Sequence, residues 1–353
     1  MQAYCIFLPI YLVLQIFCST FVPKLVCAMK IAFTTQLPEE GFRRLFSKDQ
    51  GDSRWERGEY PEADVLVSTF DVRVPREMIA GMPHLKLIAN FGAGYNNIDL
   101  EACRERGIRV TNTPLPVVEP TAELAFALMI DVARRVSEFD RMLREKYRGL
   151  SHGVQDAPPQ VFGVMNNLSH SLYGKTLGII GMGRIGRALA RRAIACGMRI
   201  IYHNRHEISR ERLNELTKEQ NRVQYVDLQT LLQDSDFVSL NLPYTPEVHH
   251  LIGKPELGMM KRSAYLINTA RGAHVDEEAL VEALRSGIIA GAAMDVYEHE
   301  PAIHPGLLQL DNVVLSPHTG TGTWEGRIAM CENVVDNIIA FAEGRTDAMD
   351  SII

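Results

Sequence analysis

From Met29 onward, short apolar runs alternate with longer segments in which apolar residues recur every three or four positions. Apolar runs of strand length bounded by turn residues are typical of buried strands, and the longer periodic segments are typical of amphipathic helices. The first strand-like runs are KIAFTT, DVLVST, LKLIAN and IRVTNT. This alternation predicts an α/β domain with a flavodoxin-like parallel sheet.

A second α/β series follows in the middle of the chain. Its main strand-like runs are TLGIIGMG, MRIIYHNR, FVSLNLP, AYLINTA, IAGAAMDVY and NVVLSPH, and helical segments such as RIGRALARRAIACG and EEALVEALRSG separate them. Strands that alternate with helices build parallel sheets covered on both faces. The series therefore predicts a six-strand, doubly wound sheet of Rossmann type.

Two long helical segments flank the second series. Residues 119–135 have a proline near the start, alanine and leucine throughout and arginines at the end, a pattern that predicts a strong helix. A polar stretch at 145–172 then predicts a protruding arm. The segment from Trp324 to Gly344 predicts one amphipathic helix that ends at a glycine. The second series is therefore predicted to be inserted into the first domain.

Residues 1–28 depart from this pattern. No charged side chain occurs from Ala3 to Val22, a length that could span a bilayer. A signal peptide normally has a basic residue before its apolar run, whereas Lys24, the first cation, follows the run. We favour a start codon assigned too far upstream, with a cleaved or anchoring segment as the alternative, and begin the folded chain at Met29.

Composition narrows the class of protein. The 353 residues are 46% hydrophobic and 23% charged, as expected of a globular enzyme with two domains of ordinary size. The formal net charge of −6 gives no basic surface for nucleic acid. The six cysteines have no paired metal-binding spacing, which predicts free thiols and no metal site. We expect a cytoplasmic protein whose folded part needs neither nucleic acid nor membrane.

Three glycines, Gly181, Gly183 and Gly186, form a G-x-G-x-x-G motif between a predicted strand and a predicted helix. In this context the first glycine permits a tight turn, the second lets a pyrophosphate approach the backbone, and the third allows close packing. The N-terminus of the helix attracts the negatively charged pyrophosphate. Arg184 and Ile185 lie at this end of the helix. The motif predicts dinucleotide binding, although a turn that binds nothing is the alternative.

The strand that follows the glycine turn ends in IIYHNRH. An NAD site places an acidic residue there, about 20 residues beyond the glycines, to bind the ribose 2′-hydroxyl. Here Asn204 and Arg205 occupy the position, and the first carboxylate is Glu207. A guanidinium fork suits a 2′-phosphate. We therefore predict NADP in preference to NAD, with a solvated arginine beside a permissive site as the alternative.

These features set the predicted domain organisation. A dinucleotide-binding domain, residues 123–318, is inserted into a substrate-binding domain formed by residues 29–122 and 319–353, and residues 1–28 are an extension. Three polar segments end predicted strands of the inserted domain, and they read NTARG, DVYEHEP and SPHTGTG. Because the carboxyl ends of parallel strands line one crevice, we expect these segments to converge.

The three segments carry one candidate residue each: Arg271, Glu300 and His318. Histidine exchanges protons near neutral pH, and a neighbouring carboxylate fixes its ring. Arginine offers a permanent cation to a substrate carboxylate. Taken singly, such an arginine is more often a surface ion pair and such a histidine a loop hydrogen-bond donor. Glu298 is an alternative to Glu300.

Together with GMGRIG and the NFGAGYNNID of residues 90–99, these segments resemble the D-isomer-specific 2-hydroxyacid dehydrogenase family, in order, from Met29 to the end. The resemblance implies reduction of a 2-oxo acid by a nicotinamide cofactor. It also implies that Arg271 binds substrate, Glu300 is the carboxylate partner, and His318 donates and accepts the proton. The family places the acid directly before the proline, which favours Glu300 over Glu298.

The resemblance implies further contacts. The backbone N–H groups of Ala93 and Gly94 would form a small nest for the substrate carboxylate, and a plain strand-to-helix turn is the alternative. The cofactor would contact the glycine turn and the residues after the next strand, and also Arg271 and His318. Its further contacts would be Thr121, Pro243, Thr269, Ala270, Asp295 and Gly320.

The family acts on several 2-oxo acids. The YHNR run resembles that of NADPH-using glyoxylate and hydroxypyruvate reductases, which we take as the expected function. An enzyme for 2-ketogluconate or phosphoglycerate is an alternative. A bulkier 2-oxo acid is another, because TGTGTWEGR departs from the Ala-Gly-Ala/Ser continuation of many members. A non-catalytic, dinucleotide-sensing corepressor-like protein is another. The resemblance also implies a homodimer that uses the crossing helix and residues 140–172.

Overall fold

The computed structural model describes residues 29–42, 45, 61–148, 165–217 and 222–353. The predicted extension, residues 1–28, and the middle of the predicted arm, residues 149–164, lie outside these described residues. The structure divides into two compact units: the described residues up to Val117 with Thr321–Ile353, and Val118–Gly320. None of the described helices is long and apolar enough to cross a membrane. The cysteines at 103, 196 and 331 are free.

The first unit contains a parallel sheet of four strands in the order β1-β2-β3-β4. These strands are β1 (Ile31–Phe33), β2 (Val65–Thr69), β3 (Leu87–Phe91) and β4 (Arg109–Thr111), with helices α1 (Arg76–Ala80) and α2 (Leu100–Glu105) between them. Every residue of β2 and β3 is buried, as expected for inner strands of a covered parallel sheet. Asp99 caps helix α2, because its carboxylate accepts a hydrogen bond from the Ala102 N–H.

The second unit contains a parallel sheet of seven strands in the order β11-β10-β9-β8-β5-β6-β7. These strands are β5 (Thr176–Ile180), β6 (Arg199–His203), β7 (Val223–Tyr225), β8 (Phe237–Leu240), β9 (Tyr265–Asn268), β10 (Gly291–Met294) and β11 (Val313–Leu315). Its helices are α3 (Val118–Arg134), α4 (Val136–Tyr147), α5 (Arg184–Ala195), α6 (Arg210–Asn214), α7 (Leu228–Asp234), α8 (Lys254–Met259) and α9 (Glu277–Arg285).

The α/β fold class is confirmed, and the strand count needs one correction. The sequence predicts six strands in the second unit, whereas the structure has seven. The additional strand is β7, which pairs with β6 at the edge of the sheet. It has three residues, none of them fully buried. A half-exposed run of this length gives too weak a hydrophobic pattern to stand out.

Strand β5 is the point at which the order of the strands reverses. It pairs with β6 on one side and with β8 on the other. In doubly wound sheets, ligands bind outside the carboxyl ends of the strands at this switch point. A cofactor is therefore expected to bind at the loops that follow β5, β6 and β8.

The crossing helix begins and ends one residue earlier than the predicted range, 119–135. Helix α3 ends at Arg134 because Arg135 adopts a left-handed conformation with φ 57°, which interrupts a right-handed helix. The Arg135 guanidinium forms an ion pair with Glu138 in the first turn of α4. The sequence pattern did not predict α4, and none of its residues is buried within the chain.

The C-terminal helix, α10 (Trp324–Ala342), returns to the first unit. Its residues Met330, Val334 and Ile338 share a core with Val65 and Leu87 of the sheet. The helix begins as predicted at Trp324, and Thr323 caps it by accepting a hydrogen bond of 3.0 Å from the Gly326 N–H. The chain therefore leaves and re-enters the first unit.

Candidate active site

The glycine turn follows β5, and each glycine has its own reason to be there. Gly181 has φ 98°, and a Cβ on it would lie 2.6 Å from the carbonyl oxygen of Asn241. A Cβ on Gly186 would lie 2.4 Å from the Gly181 carbonyl oxygen. A Cβ on Gly183, at the start of α5, would meet nothing within 4 Å. The outer two glycines are thus required by the fold, and the middle one leaves open space beside a helix N-terminus.

The first residues of α5 fit an anion. A helix leaves its first backbone N–H groups without intrahelical acceptors, and its dipole is positive there. Arg184, the first residue of α5, is exposed, and Ile185 is half-buried. Together with the open space over Gly183, this arrangement fits the pyrophosphate of a dinucleotide.

The residues after β6 are placed beside the glycine turn. The Asn204 side-chain oxygen accepts a hydrogen bond of 2.8 Å from the Met182 N–H, and the Tyr225 hydroxyl donates to the Asn204 carbonyl oxygen at 3.1 Å. Arg205 is exposed, and no carboxylate of the described chain forms an ion pair with it. The structure therefore fixes Asn204 and leaves the Arg205 guanidinium available to a ligand.

Two buried polar atoms near the carboxyl ends of β8 and β9 lack partners among the described residues. They are the side-chain oxygen of Asn241 and the hydroxyl oxygen of Thr269. Buried polar atoms are normally hydrogen-bonded, so orphaned ones at a crevice indicate a ligand. Pro243, two residues after Asn241, is exposed. These residues fit a nicotinamide dinucleotide.

His318 and Glu300 form the central pair of the site. The Nδ1 atom of His318 lies 2.7 Å from Oε2 of Glu300, and Oε1 of Glu300 accepts a hydrogen bond of 2.9 Å from the Tyr297 N–H. Burial raises the pKa of Glu300, but the hydrogen bond and charge of His318, with the Tyr297 amide, bring the pKa below its ordinary value. Glu300 is therefore an anion at neutral pH and fixes the imidazole.

The alternative carboxylate has a different partner. Oε1 of Glu298 lies 2.6 Å from Nε2 of His250, and the Glu298 N–H donates a hydrogen bond of 2.9 Å to the buried Glu277 carboxylate. The structure thus separates the two acids of the DVYEHEP segment. Glu300 faces His318, and Glu298 does not.

Arg271 follows β9 and is held in place through its backbone. The buried Asn268 side chain accepts a hydrogen bond of 3.0 Å from the Ala270 N–H and donates one of 2.9 Å to the Arg271 carbonyl oxygen. One guanidinium nitrogen of Arg271 donates to the Ala270 carbonyl oxygen at 2.6 Å. Burial lowers the pKa of Arg271, and the negative charge of Glu300 opposes this. The arginine remains a cation close to Glu300. Sequence reasoning missed the positioning function of Asn268.

Gly272 permits a close backbone contact between two of the site segments. A Cβ on Gly272 would lie 1.9 Å from the carbonyl carbon of Tyr297 and 2.3 Å from the Glu298 nitrogen. Real Cβ atoms do not approach a backbone this closely, so only glycine fits. The contact ties the segment that carries Arg271 to the segment that carries Glu300.

Substitution of Gly272 by alanine is expected to lower the free energy of unfolding by about 2 kcal/mol, because overpacking forces a backbone shift. Urea denaturation measures this change. Gly258→Ala is the matched control, since a Cβ there meets nothing within 4 Å and alanine favours its helix, α8. Equal stability of the two variants would contradict the argument.

Asp295 has a structural function that the sequence did not reveal. Its side chain is almost fully buried, and its two oxygens accept hydrogen bonds of 2.8 Å from the N–H groups of Thr319 and Gly320. Its carbonyl oxygen accepts one from the His318 N–H, also at 2.8 Å. His318 itself has φ 52°, a conformation rare outside glycine. Asp295 thus fastens the loop that carries the imidazole.

Thr121 lies against the same loop. It is buried in the first turn of α3, and a Cβ on Gly320 would lie 3.4 Å from its methyl carbon. The structure therefore places Thr121, Asp295 and Gly320 together.

The turn after β3 belongs to the first unit. The Ala93 carbonyl oxygen accepts a hydrogen bond of 2.8 Å from the Asn112 side chain, and the Gly94 carbonyl oxygen accepts one of 2.8 Å from Asn90. The N–H groups of Ala93 and Gly94 donate to no acceptor within the described chain. Gly94 lacks the positive φ of an alternating-handed nest. The turn nonetheless offers two free donors.

Comparisons with known proteins agree with this geometry. Residues 126–320 match the family described as D-isomer specific 2-hydroxyacid dehydrogenase, NAD binding domain. A glyoxylate reductase of Thermococcus litoralis is 44% identical over 326 residues, 89% of this chain and 94% of that protein. A crystal structure of a Thermus thermophilus protein has a TM-score of 0.78 at 39% identity, covering 92% of this chain and 100% of that one. An NADPH-dependent glyoxylate/hydroxypyruvate reductase of Sinorhizobium meliloti, in complex with NADP and malonate, has a TM-score of 0.72 at 30% identity, covering 89% and 93%.

Proposed function

Because the chain belongs to the D-isomer-specific 2-hydroxyacid dehydrogenase family, we propose that it reduces glyoxylate and hydroxypyruvate with NADPH. It is a nicotinamide-dependent oxidoreductase, and the similar glyoxylate reductases support this substrate class. The observation that carries the proposal is the His318–Glu300 pair beside the Arg271 cation. This set provides a proton donor and an anchor for a 2-oxo acid.

Each residue of the set has a separate task. The bound nicotinamide supplies the hydride. Nδ1 of His318 is committed to Glu300, so Nε2 is the nitrogen that donates a proton to the substrate carbonyl oxygen. Glu300 stabilises the imidazolium before the transfer and keeps the ring oriented after it. In the oxidative direction Nε2 accepts the proton.

Arg271 binds the substrate carboxylate and polarises the carbonyl group. Its charge is permanent, and the Asn268 contacts to its backbone fix its direction. The free N–H groups of Ala93 and Gly94 are proposed to hold the substrate carboxylate as well. Thr121, Gly181, Gly183, Arg184, Ile185 and Gly186 are proposed cofactor contacts, with Asn204, Pro243, Thr269, Ala270, Asp295 and Gly320.

A substrate panel tests the proposal. Purified protein and NADPH are mixed with glyoxylate, hydroxypyruvate, 2-ketogluconate or phenylpyruvate, and the nicotinamide absorbance is followed. We expect the highest kcat/KM with the first two acids. A higher kcat/KM with phenylpyruvate would indicate an enzyme for bulkier acids. Cofactor binding without turnover on any acid would contradict the enzymatic proposal and support a dinucleotide sensor.

The preference for NADP is proposed from Arg205. In Arg205→Asp, the ratio of kcat/KM with NADPH to that with NADH is expected to fall by about 10- to 100-fold, since a charge-assisted hydrogen bond contributes about 1.5–3 kcal/mol. Arg285→Asp, an exposed substitution on α9, is the control and should leave the ratio unchanged. An unchanged ratio in Arg205→Asp would remove this arginine from cofactor selection.

A homodimer is proposed from the surface around α4. This helix buries none of its residues within the chain. Val136 and Leu168 are exposed by 55% and 60% of their surface, and the Leu168 carbonyl oxygen accepts a hydrogen bond of 3.2 Å from Arg135, directly before α4. Exposed apolar side chains on this surface support contact with a second copy. Light scattering after size-exclusion chromatography tests this. A monomer at micromolar concentration would contradict it.

A further inference from the structure

A cluster of metal-ligating side chains lies outside the proposed catalytic set. It consists of His249, His250 and Glu298, and one ligand atom from each lies within 4.8 Å of the others. The two histidines belong to the loop between β8 and α8, and Glu298 belongs to the segment after β10. All three belong to the second unit.

Two of the three ligands are already arranged by the fold. Nε2 of His250 lies 2.6 Å from Oε1 of Glu298. The His250 N–H donates a hydrogen bond of 2.8 Å to the Ala273 carbonyl oxygen, and the Glu298 N–H donates to Glu277. The backbone of both residues is therefore fixed, and their side chains meet at one point.

The third ligand is less constrained. The exposed His249 ring stacks on the His250 ring, with centroids 3.9 Å apart and planes 21° apart. Its Nδ1 atom lies 3.5 Å from the Tyr244 hydroxyl. Metal-binding histidines commonly place one ring nitrogen against a polar group and bind the ion through the other. The His249 ring has this arrangement, with Nδ1 near the Tyr244 hydroxyl.

We propose that His249, His250 and Glu298 bind a divalent transition-metal ion of the Zn²⁺, Ni²⁺ or Cu²⁺ class. Two imidazole nitrogens and one carboxylate oxygen suit these ions, whereas Mg²⁺ and Ca²⁺ prefer oxygen ligands throughout. Metal–ligand bonds of about 2.1 Å place tetrahedral ligand atoms about 3.4 Å apart. The His250 and Glu298 atoms, hydrogen-bonded at 2.6 Å, separate by about 0.8 Å when they bind the ion, and rotation of the exposed His249 ring brings the third ligand atom into place.

The metal takes no part in the proposed reaction. His318 and Glu300 bind each other, and neither belongs to the cluster. Because Glu298 lies two residues before Glu300, the ion instead ties the loop after β8 to the segment after β10. The inference stands on the positions of three side chains and does not depend on the proposed function.

Calorimetric titration of the tag-free full-length protein with ZnCl₂ and with NiCl₂ tests the site. We expect a high-affinity event in the parent whose affinity falls at least 10-fold in His249→Ala and in Glu298→Gln. His304→Ala is the matched control, because it removes another histidine–carboxylate pair, His304–Glu278 at 2.9 Å. This control should bind as the parent does.

Thermal unfolding supplies the second measurement. Zn²⁺ is expected to raise the Tm of the parent and of His304→Ala but not of His249→Ala, since a ligand that binds only the folded state stabilises it. His249 is exposed, so its substitution should leave the metal-free Tm unchanged. Absence of saturable binding, equal binding by parent and His249→Ala, or equally tight binding of MgCl₂ would overturn the proposal.

Discussion

Substitution of His318 by glutamine is expected to lower kcat for 2-oxo acid reduction by about 10³-fold, within the range usual for loss of a general acid. Glutamine retains a polar side chain but has no proton to transfer at neutral pH. The hydrogen bond of 2.7 Å to Glu300 shows that the imidazole is oriented before substrate binds. Steady-state kinetics with NADPH and glyoxylate measure the change.

Affinity for NADPH separates this effect from a folding defect. We expect the dissociation constant of NADPH to change less than threefold in His318→Gln, because the glycine turn and helix α5 remain intact. His304→Gln, which alters a histidine paired with the exposed Glu278, is the control and should retain full turnover. A His318→Gln variant with turnover near that of the parent would remove His318 as the proton donor.

Substitution of Arg271 by glutamine is expected to lower kcat/KM for glyoxylate by about 10³-fold, since the variant loses a charged donor aimed at the reacting group. Arg271→Lys should lose about 10²-fold, because lysine keeps the charge but not the planar fork. Kinetics on both variants, with the 2-oxo acid varied at saturating NADPH, measure the loss. Comparison of the two variants separates the loss of kcat/KM caused by the missing charge from the loss caused by the missing planar guanidinium.

The control for Arg271 is a conservative change at an exposed arginine. Arg262→Lys alters an exposed side chain whose Nε donates a hydrogen bond of 3.3 Å to the Gly287 carbonyl oxygen, and it should retain the parent kcat/KM. Thermal unfolding checks that Arg271→Gln remains folded. Retention of the parent KM for glyoxylate by this variant would show that another group anchors the carboxylate.

Local sequence rules predicted the features that depend on backbone conformation and strand order. The glycine spacing predicted the turn after β5, and the structure gives a distinct steric or spatial reason for Gly181, Gly183 and Gly186. The rule that parallel strands end at one edge predicted that His318 and Glu300 would meet. The first prediction depends on a few neighbouring residues, and the second on the common direction of the strands in a parallel sheet.

Other features depend on tertiary contacts that no local pattern carries. Helix α4 follows the left-handed Arg135 directly, and the sequence pattern predicted only that a helix ends there. Asp295 has a fastening function because the Thr319 and Gly320 amides reach it from another strand end. The pairing of Glu298 with His250 joins residues 48 positions apart. Such contacts become visible only when the chain is folded.

The attachment of the histidine loop to Asp295 has a consequence for how this protein can change. The buried Asp295 carboxylate accepts hydrogen bonds from the main-chain N–H groups of Thr319 and Gly320. Every residue except proline has such an N–H group. The identity of the side chains that follow Gly320 is thereby uncoupled from the placement of the imidazole. A combinatorial library that randomises Thr321 and Gly322 while retaining Asp295 should accordingly yield many active variants, and this short stretch is where new substrate scope can be evolved without rebuilding the catalytic pair.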